Sequence, residues 1–123
     1  RLSLPPHTVL QKSDDSAQVQ LQITKDLVVF DGHFSEHAAV VPGVALIDWV
    51  IRNGRELFRM PPRFLRIEAL KFQQVIRPDT DVILDMQWNE AKGILMFRYE
   101  SMQGAHANGR ILFSGTDTGV VSS

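Results

Sequence analysis

The sequence predicts an α+β domain in which a long, curved antiparallel sheet wraps around one central helix. Most of the chain alternates apolar and polar residues with period two, the pattern of half-buried strands. One segment, "GVALIDWVIRNGRELFRM" at residues 43–60, breaks that pattern and suits a helix of about four turns. Over Val44, Ala45, Leu46, Ile47, Trp49, Val50 and Ile51 it has no polar face except Asp48, and a helix apolar all round is normally buried. The sheet must therefore enclose it.

A short first strand is placed at "HTVLQK". In "AQVQLQIT", Val19, Leu21 and Ile23 point one way and Gln18, Gln20 and Gln22 the other. Pro42-Gly43 opens the helix and Pro61-Pro62 closes it, while Asn53-Gly54 suggests a kink or an early stop. "RFLRIEALKF" sets Leu65, Ile67 and Ala69 against Arg66, Glu68 and Leu70, with a bend near Phe72. "RPDTD" turns the chain. "DVILDMQW" then alternates Val82, Leu84, Met86 and Trp88 against Ile83, Asp85 and Gln87, and "NEAKG" closes a hairpin in which Gly93 is free to take a positive φ. "ILMFRYE", a turn at "GAHANG" and "RILFSG" complete an antiparallel meander. Sheet edges left unpaired in such an arrangement are commonly covered by a second copy, so a homodimer is expected.

At 123 residues the chain suits one domain, read as residues 1–123 with frayed ends. Hydrophobic residues at 44% and charged residues at 22% exclude a disordered composition, and a net charge of −1 argues against nucleic-acid binding. The absence of cysteine removes disulfides and thiolate chemistry, and fits a reducing compartment. Neither a membrane-length apolar run nor a signal-peptide pattern is present, so the chain reads as soluble and cytoplasmic.

An ionised carboxylate in an apolar helix needs a partner or a neutral form. Arg52, four residues after Asp48, supplies one reading: a structural ion pair. His33 supplies another. A neutral imidazole accepts a proton near pH 7 while a carboxyl in an apolar pocket donates one, which makes His33 and Asp48 an elimination pair. Pro42-Gly43 stands between them, where the free N–H groups of a helix start suit a developing oxyanion.

"GHF", then "PGV", then an acid four residues after that valine, resembles the hotdog-fold 3-hydroxyacyl-[acyl carrier protein] dehydratases over roughly residues 17–115. Their pattern is Gly-His-Phe-Pro, a short loop, Pro-Gly, and Glu or Asp on the central helix. The later "EALKFQQVIRPDTDVILDMQW" is similar to the family's strand, Arg-Pro-Gly-Asp-type corner and strand, and "PGVALIDWVIR" looks like the thioester dehydratases of aryl-polyene clusters. Ser35 departs from the family's proline, and Arg52 stands where many members have glutamine.

That resemblance implies dehydration of a 3-hydroxyacyl thioester to the trans-2-enoyl thioester, in fatty-acid or polyene-type biosynthesis, with no metal and no cofactor. His33 and Asp48 would be catalytic, Gly43 and Val44 would hold the thioester oxygen, and Leu46, Ile47, Val50 and Phe72 would line an acyl tunnel. The dimer would place its active sites at the subunit interface, with higher assembly open. Arg52, Arg55 and Arg59, near Arg63 and Arg66, offer a docking patch for an acidic acyl carrier protein, or simply a solvated helix end. The rivals are a hotdog thioesterase, in which Asp48 activates water, and a catalytically silent acyl-binding subunit. His33 and His37 are four apart, but a loop before Pro-Gly does not give them metal-binding geometry. Ser35 lacks a nucleophile elbow. His7, His37 and His106 are expected at the surface or in loops.

Overall fold

The computed structural model describes residues 4–27 and 40–114. Among these, β1 (His7–Lys12), β2 (Ser16–Ile23), β3 (Arg63–Phe72), β4 (Thr80–Asn89), β5 (Ile94–Ser101) and β6 (Gly104–Ser114) form one sheet, and α1 (Gly43–Leu57) lies between β2 and β3 in sequence. The strand order is β1-β2-β4-β5-β6-β3, with every neighbouring pair antiparallel. This is the α+β arrangement expected from the alternation.

The period-two pattern decides which side of the sheet meets the helix. Val19, Leu21 and Ile23 of β2, Val82, Leu84 and Met86 of β4, and Leu95, Phe97 and Tyr99 of β5 are buried. Onto this face α1 presses Ala45, Leu46, Trp49, Val50, Asn53 and Gly54. Their spacing of three and four marks one helical face. The Asn53 amide is not orphaned there, because it donates to the Trp49 carbonyl at 2.9 Å.

Three expectations are refined or corrected by the structure. Among the described residues the sheet covers one side of the helix: Val44 is 69% exposed, and Ile47 and Ile51 are only half-buried. A second apolar stripe of α1 is not covered by the sheet. Asn53-Gly54 does not break the helix either. A Cβ on Gly54 would lie 2.8 Å from Leu95 Cδ2, so the glycine permits a close approach to β5. The helix ends instead at Leu57, where the Phe58 N–H donates to Gly54 O at 2.8 Å and Pro61-Pro62 follow.

The third correction concerns "GAHANG", which lies inside β6; the reversal is at Met102-Gln103. Its small residues serve packing. A Cβ on Gly109 would meet Phe97 Cε2 at 3.0 Å, and Ala107 is fully buried. His106 is accordingly a buried residue and not a surface one. By contrast Gly93 does take the expected left-handed conformation, at φ 68°.

In the "RPDTD" corner Asp79 has φ 65°, a conformation glycine adopts without steric cost. Its exposed ion pair with Lys25, at 3.6 Å, contributes little to stability. Asp79→Gly is therefore expected to leave stability level or raise it by up to about 1 kcal/mol in a urea titration. A loss of that size would show that the aspartate side chain holds the corner.

Candidate active site

The start of α1 is shaped by Pro42, which is extended at φ −69° and ψ 150° and gives no side-chain cap. Its carbonyl accepts from the N–H groups of Ala45 at 3.0 Å and Leu46 at 3.4 Å. The N–H groups of Gly43 and Val44 have no acceptor among the described residues. They carry the positive end of the helix dipole.

Beside them opens a largely apolar cavity of about 330 Å³, lined by Val41, Gly43, Leu46, Phe72, Val75 and Ile76 among others. The Phe72 ring sits directly on Gly43: a Cβ there would lie 2.8 Å from the ring's Cζ. Glycine at this position is a steric requirement of that contact. Of the four residues expected to line a tunnel, Leu46 and Phe72 border this cavity. Val50 is sealed in the core, and Ile47 faces the open stripe of the helix.

Asp48 lies on that same stripe. Val44, Ile47, Asp48, Ile51 and Arg52 share one helical face through their spacing of three and four. The carboxylate is not sealed within a single chain: its side chain is 31% exposed, and its Oδ2 accepts from Arg52 Nη1 at 3.3 Å. The ion pair read from the spacing thus forms, while Oδ1 has no partner among the described residues. His33, with Ser35 and His37, lies outside the described residues.

Sequence reasoning missed Tyr99. Its hydroxyl donates to Leu46 O at 2.7 Å from a fully buried position on β5, tying the sheet to the first turns of α1. The signal was an inward-facing tyrosine on a strand, because a buried phenol requires an acceptor. Burial pushes its pKa well above 10, and the charge of Asp48 raises it further. The folded state therefore favours the protonated phenol. That stabilisation is complete below about pH 10 and is lost as pH rises toward the folded pKa, at up to about 1.4 kcal/mol per pH unit. Tyr99→Phe is expected to cost about 1 kcal/mol at neutral pH and to flatten this alkaline slope. Urea midpoints of both proteins at neutral and alkaline pH check it, and parallel slopes would exclude Tyr99 as the titrating group.

His106 was missed as well. Its Nδ1 donates to Gln74 O at 3.1 Å, which leaves Nε2 to accept from the Ser101 hydroxyl at 2.7 Å. The His106 carbonyl accepts from the N–H groups of Gln73 at 2.9 Å and Gln74 at 3.3 Å. One residue thereby pins the segment that forms a wall of the cavity.

The basic cluster is partly occupied. Arg55 donates to Pro62 O at 3.0 Å and stands 5.4 Å over the Phe113 ring. Arg66 and Arg110 both pair with Glu68, at 2.8 and 3.4 Å, and hold its carboxyl below the usual carboxylate range, the Arg66 hydrogen bond contributing most. Arg59 is exposed beyond the helix end. No group of three residues suited to a metal ion occurs among the described residues, and no described helix is long and apolar enough to cross a membrane.

Residues 9–110 match the family model of the ApeI-like dehydratases, described as ApeI dehydratase. Among solved structures, the chain is similar to the dehydratase heterocomplex ApeI:P from Xenorhabdus doucetiae, at 34% identity and a TM-score of 0.81, covering 89% of this chain and 97% of that one. An uncharacterized protein from Erwinia carotovora subsp. atroseptica is 30% identical, with a TM-score of 0.70 and coverage of 93% and 96%. A hypothetical thioesterase from Streptococcus pneumoniae, solved with coenzyme A, shares the fold at 8% identity and a TM-score of 0.63, covering 94% and 97%. No curated protein matches the sequence.

Proposed function

The chain belongs to the ApeI-like dehydratases, a hotdog-fold family, and from that premise we propose that it converts a 3-hydroxyacyl thioester, presented by an acyl carrier protein, into the trans-2-enoyl thioester. The observation that carries this reading is that one helix end holds two N–H groups without an acceptor among the described residues beside an apolar cavity, with a carboxylate on the neighbouring face of the same helix one turn on.

In this reading the Gly43 N–H, with Val44 beside it, binds the thioester oxygen, whose negative charge grows as the C2 proton leaves. His33 takes that proton. Asp48, directly or through a water on Oδ1, protonates the C3 hydroxyl as its C–O bond breaks, so that water departs and the C2–C3 double bond forms. The proton on His33 then returns through solvent to the acid, and the chemistry is redox-neutral. The acyl chain occupies the cavity beside Leu46 and Phe72.

A homodimer completes the proposal. Phe64, Leu65, Leu70 and Val75 are exposed along β3 and the segment after it, and among the described residues β3 pairs only with β6. Such an edge invites a second sheet, and the open stripe of α1 holding Asp48 would then face a partner. Sedimentation is expected to give about twice the chain mass of 13.9 kDa. Because the similar Xenorhabdus doucetiae structure is a heterocomplex, a monomer would point instead to a different second chain. Arg59, without a described partner, is the residue proposed to meet the acidic carrier.

The test is absorbance-monitored interconversion of 3-hydroxyacyl and trans-2-enoyl thioesters over several chain lengths. Enoyl thioester is the expected product. Release of free thiol would move the assignment to a thioesterase, and chain-length-dependent binding without turnover to a silent acyl-binding subunit.

A further inference from the structure

Ala69 is an alanine held at φ 54° within β3, a conformation that costs an L-residue about 1–2 kcal/mol. The strain marks a change of register. Glu68 stands opposite Arg110, whereas Lys71 stands opposite Asn108 and Phe72 opposite Ala107, so Ala69 and Leu70 together face Gly109 alone. One extra residue has been inserted into the strand.

Its consequence is a switch of face. Ile67, opposite the buried Ile111, points inward. Plain alternation from there would turn Lys71 inward and Phe72 outward. With the extra residue Phe72 instead joins the buried face of Ala107, and its ring reaches the Cα of Gly43. Two features keep the strained register in place. Leu70 seats on the bare Cα of Gly109, where a Cβ would lie 3.3 Å from Leu70 Cδ1. Beyond Phe72, His106 holds Gln73 and Gln74 by three hydrogen bonds of 2.9–3.3 Å.

We propose that this bulge sets the acyl selectivity of the site, by turning Phe72 inward so that its ring walls the cavity beside the Gly43 amide. The proposal rests on the dehydratase reading for the identity of the ligand. The ring touches Gly43 with one side and is 55% exposed overall, the placement of a residue at a cavity mouth. Bulk at the mouth excludes longer or wider acyl groups by contact, and one methylene of substrate more or less in an apolar pocket is worth a discrimination of about tenfold or more. Phe72 acts here as a specificity residue, and Ala69, Leu70 and His106 as positioning residues.

The experiment compares wild type, Phe72→Leu, Phe72→Ala and a deletion of Ala69. Two readouts are taken across a graded series of acyl chains: kcat/KM for dehydration, and calorimetric affinity for acyl-pantetheine amides, which do not turn over. Phe72→Ala is expected to change the long-to-short ratio by at least about tenfold in both readouts, with Phe72→Leu between it and wild type. The deletion, where it still unfolds cooperatively, is expected to follow Phe72→Ala because it turns the ring outward. A uniform drop across all chain lengths in Phe72→Ala, or a folded deletion variant that keeps the wild-type ratio, overturns the proposal. Should wild type bind the amides and convert no thioester, the dehydratase reading fails while the affinity ratio still decides the role of the bulge.

Discussion

Asp48→Asn is expected to lower kcat for dehydration by about 10²–10⁴-fold, the range that a positioned acid or base contributes. The substitution keeps the shape of the side chain and removes its ability to deliver a proton. Its effect on stability is expected to stay below about 1 kcal/mol, because the pair with Arg52 is 31% and 26% exposed at its two side chains and such pairs are weak in water. His33→Ala should produce a loss of the same order, and the double variant should lose little more than either alone, since the two act on one elimination. The decisive control is Arg52→Gln, which breaks the same ion pair while leaving the carboxylate. If Asp48 serves only to anchor Arg52, both substitutions will have the same small effect on turnover. If it is the acid, only Asp48→Asn will abolish it. Thermal melts and sedimentation of each variant separate loss of chemistry from loss of fold or assembly.

The features legible in the sequence were those with a local period. Alternation in "DVILDMQW" and "ILMFRYE" placed β4 and β5 on the residues the structure assigns, and the Pro-flanked apolar segment placed α1. The placement of Gly43 and Asp48 on α1 was legible for the same reason, since their spacing on a helix is fixed once the helix is. The misreadings arose where small residues have two meanings. Gly54 and Gly109 read as a helix breaker and a turn, and both instead make room for a neighbour from another strand, Leu95 and Phe97 respectively. No local pattern reports such a contact. The face of Phe72 was hidden because a bulge changes parity without changing composition: "RIEALKF" looks regular, yet Ala69 carries the extra residue. Tyr99 and His106 were hidden because their importance lies in long-range partners, Leu46 O and Gln74 O, which only the folded chain identifies.

Trp49→Ala is expected to destabilise the fold by about 3–5 kcal/mol, the cost of emptying a large aromatic site in a packed core. Trp49 is fully buried and is the bulkiest side chain on the inner face of α1. Loss of its contacts leaves a cavity that the sheet cannot readily close, because the buried residues of β2 and β4 are held by strand pairing at fixed register. The size of this loss bears on function through rotation of the helix. Asp48 is next to Trp49 and points about 100° away from it around the axis, so the buried indole fixes the face that α1 turns outward. The Asn53 amide donates to the Trp49 backbone carbonyl at 2.9 Å, a contact that Trp49→Ala leaves intact, while Tyr99 fixes the preceding turn through Leu46 O at 2.7 Å. With the indole removed, Ala45, Leu46 and Val50 still press on the sheet and Tyr99 still holds its turn, but the bulkiest contact beside the acid is gone and the angle it fixes between the acid and the Gly43 amide loosens. Urea unfolding should register the loss of stability. At a temperature where Trp49→Ala remains fully folded, kcat should still fall, whereas Trp49→Phe, which retains most of the buried surface, should keep more of both. Full kcat in folded Trp49→Ala would mean that the remaining buried residues of α1 and the Tyr99 bond aim the acid without the indole.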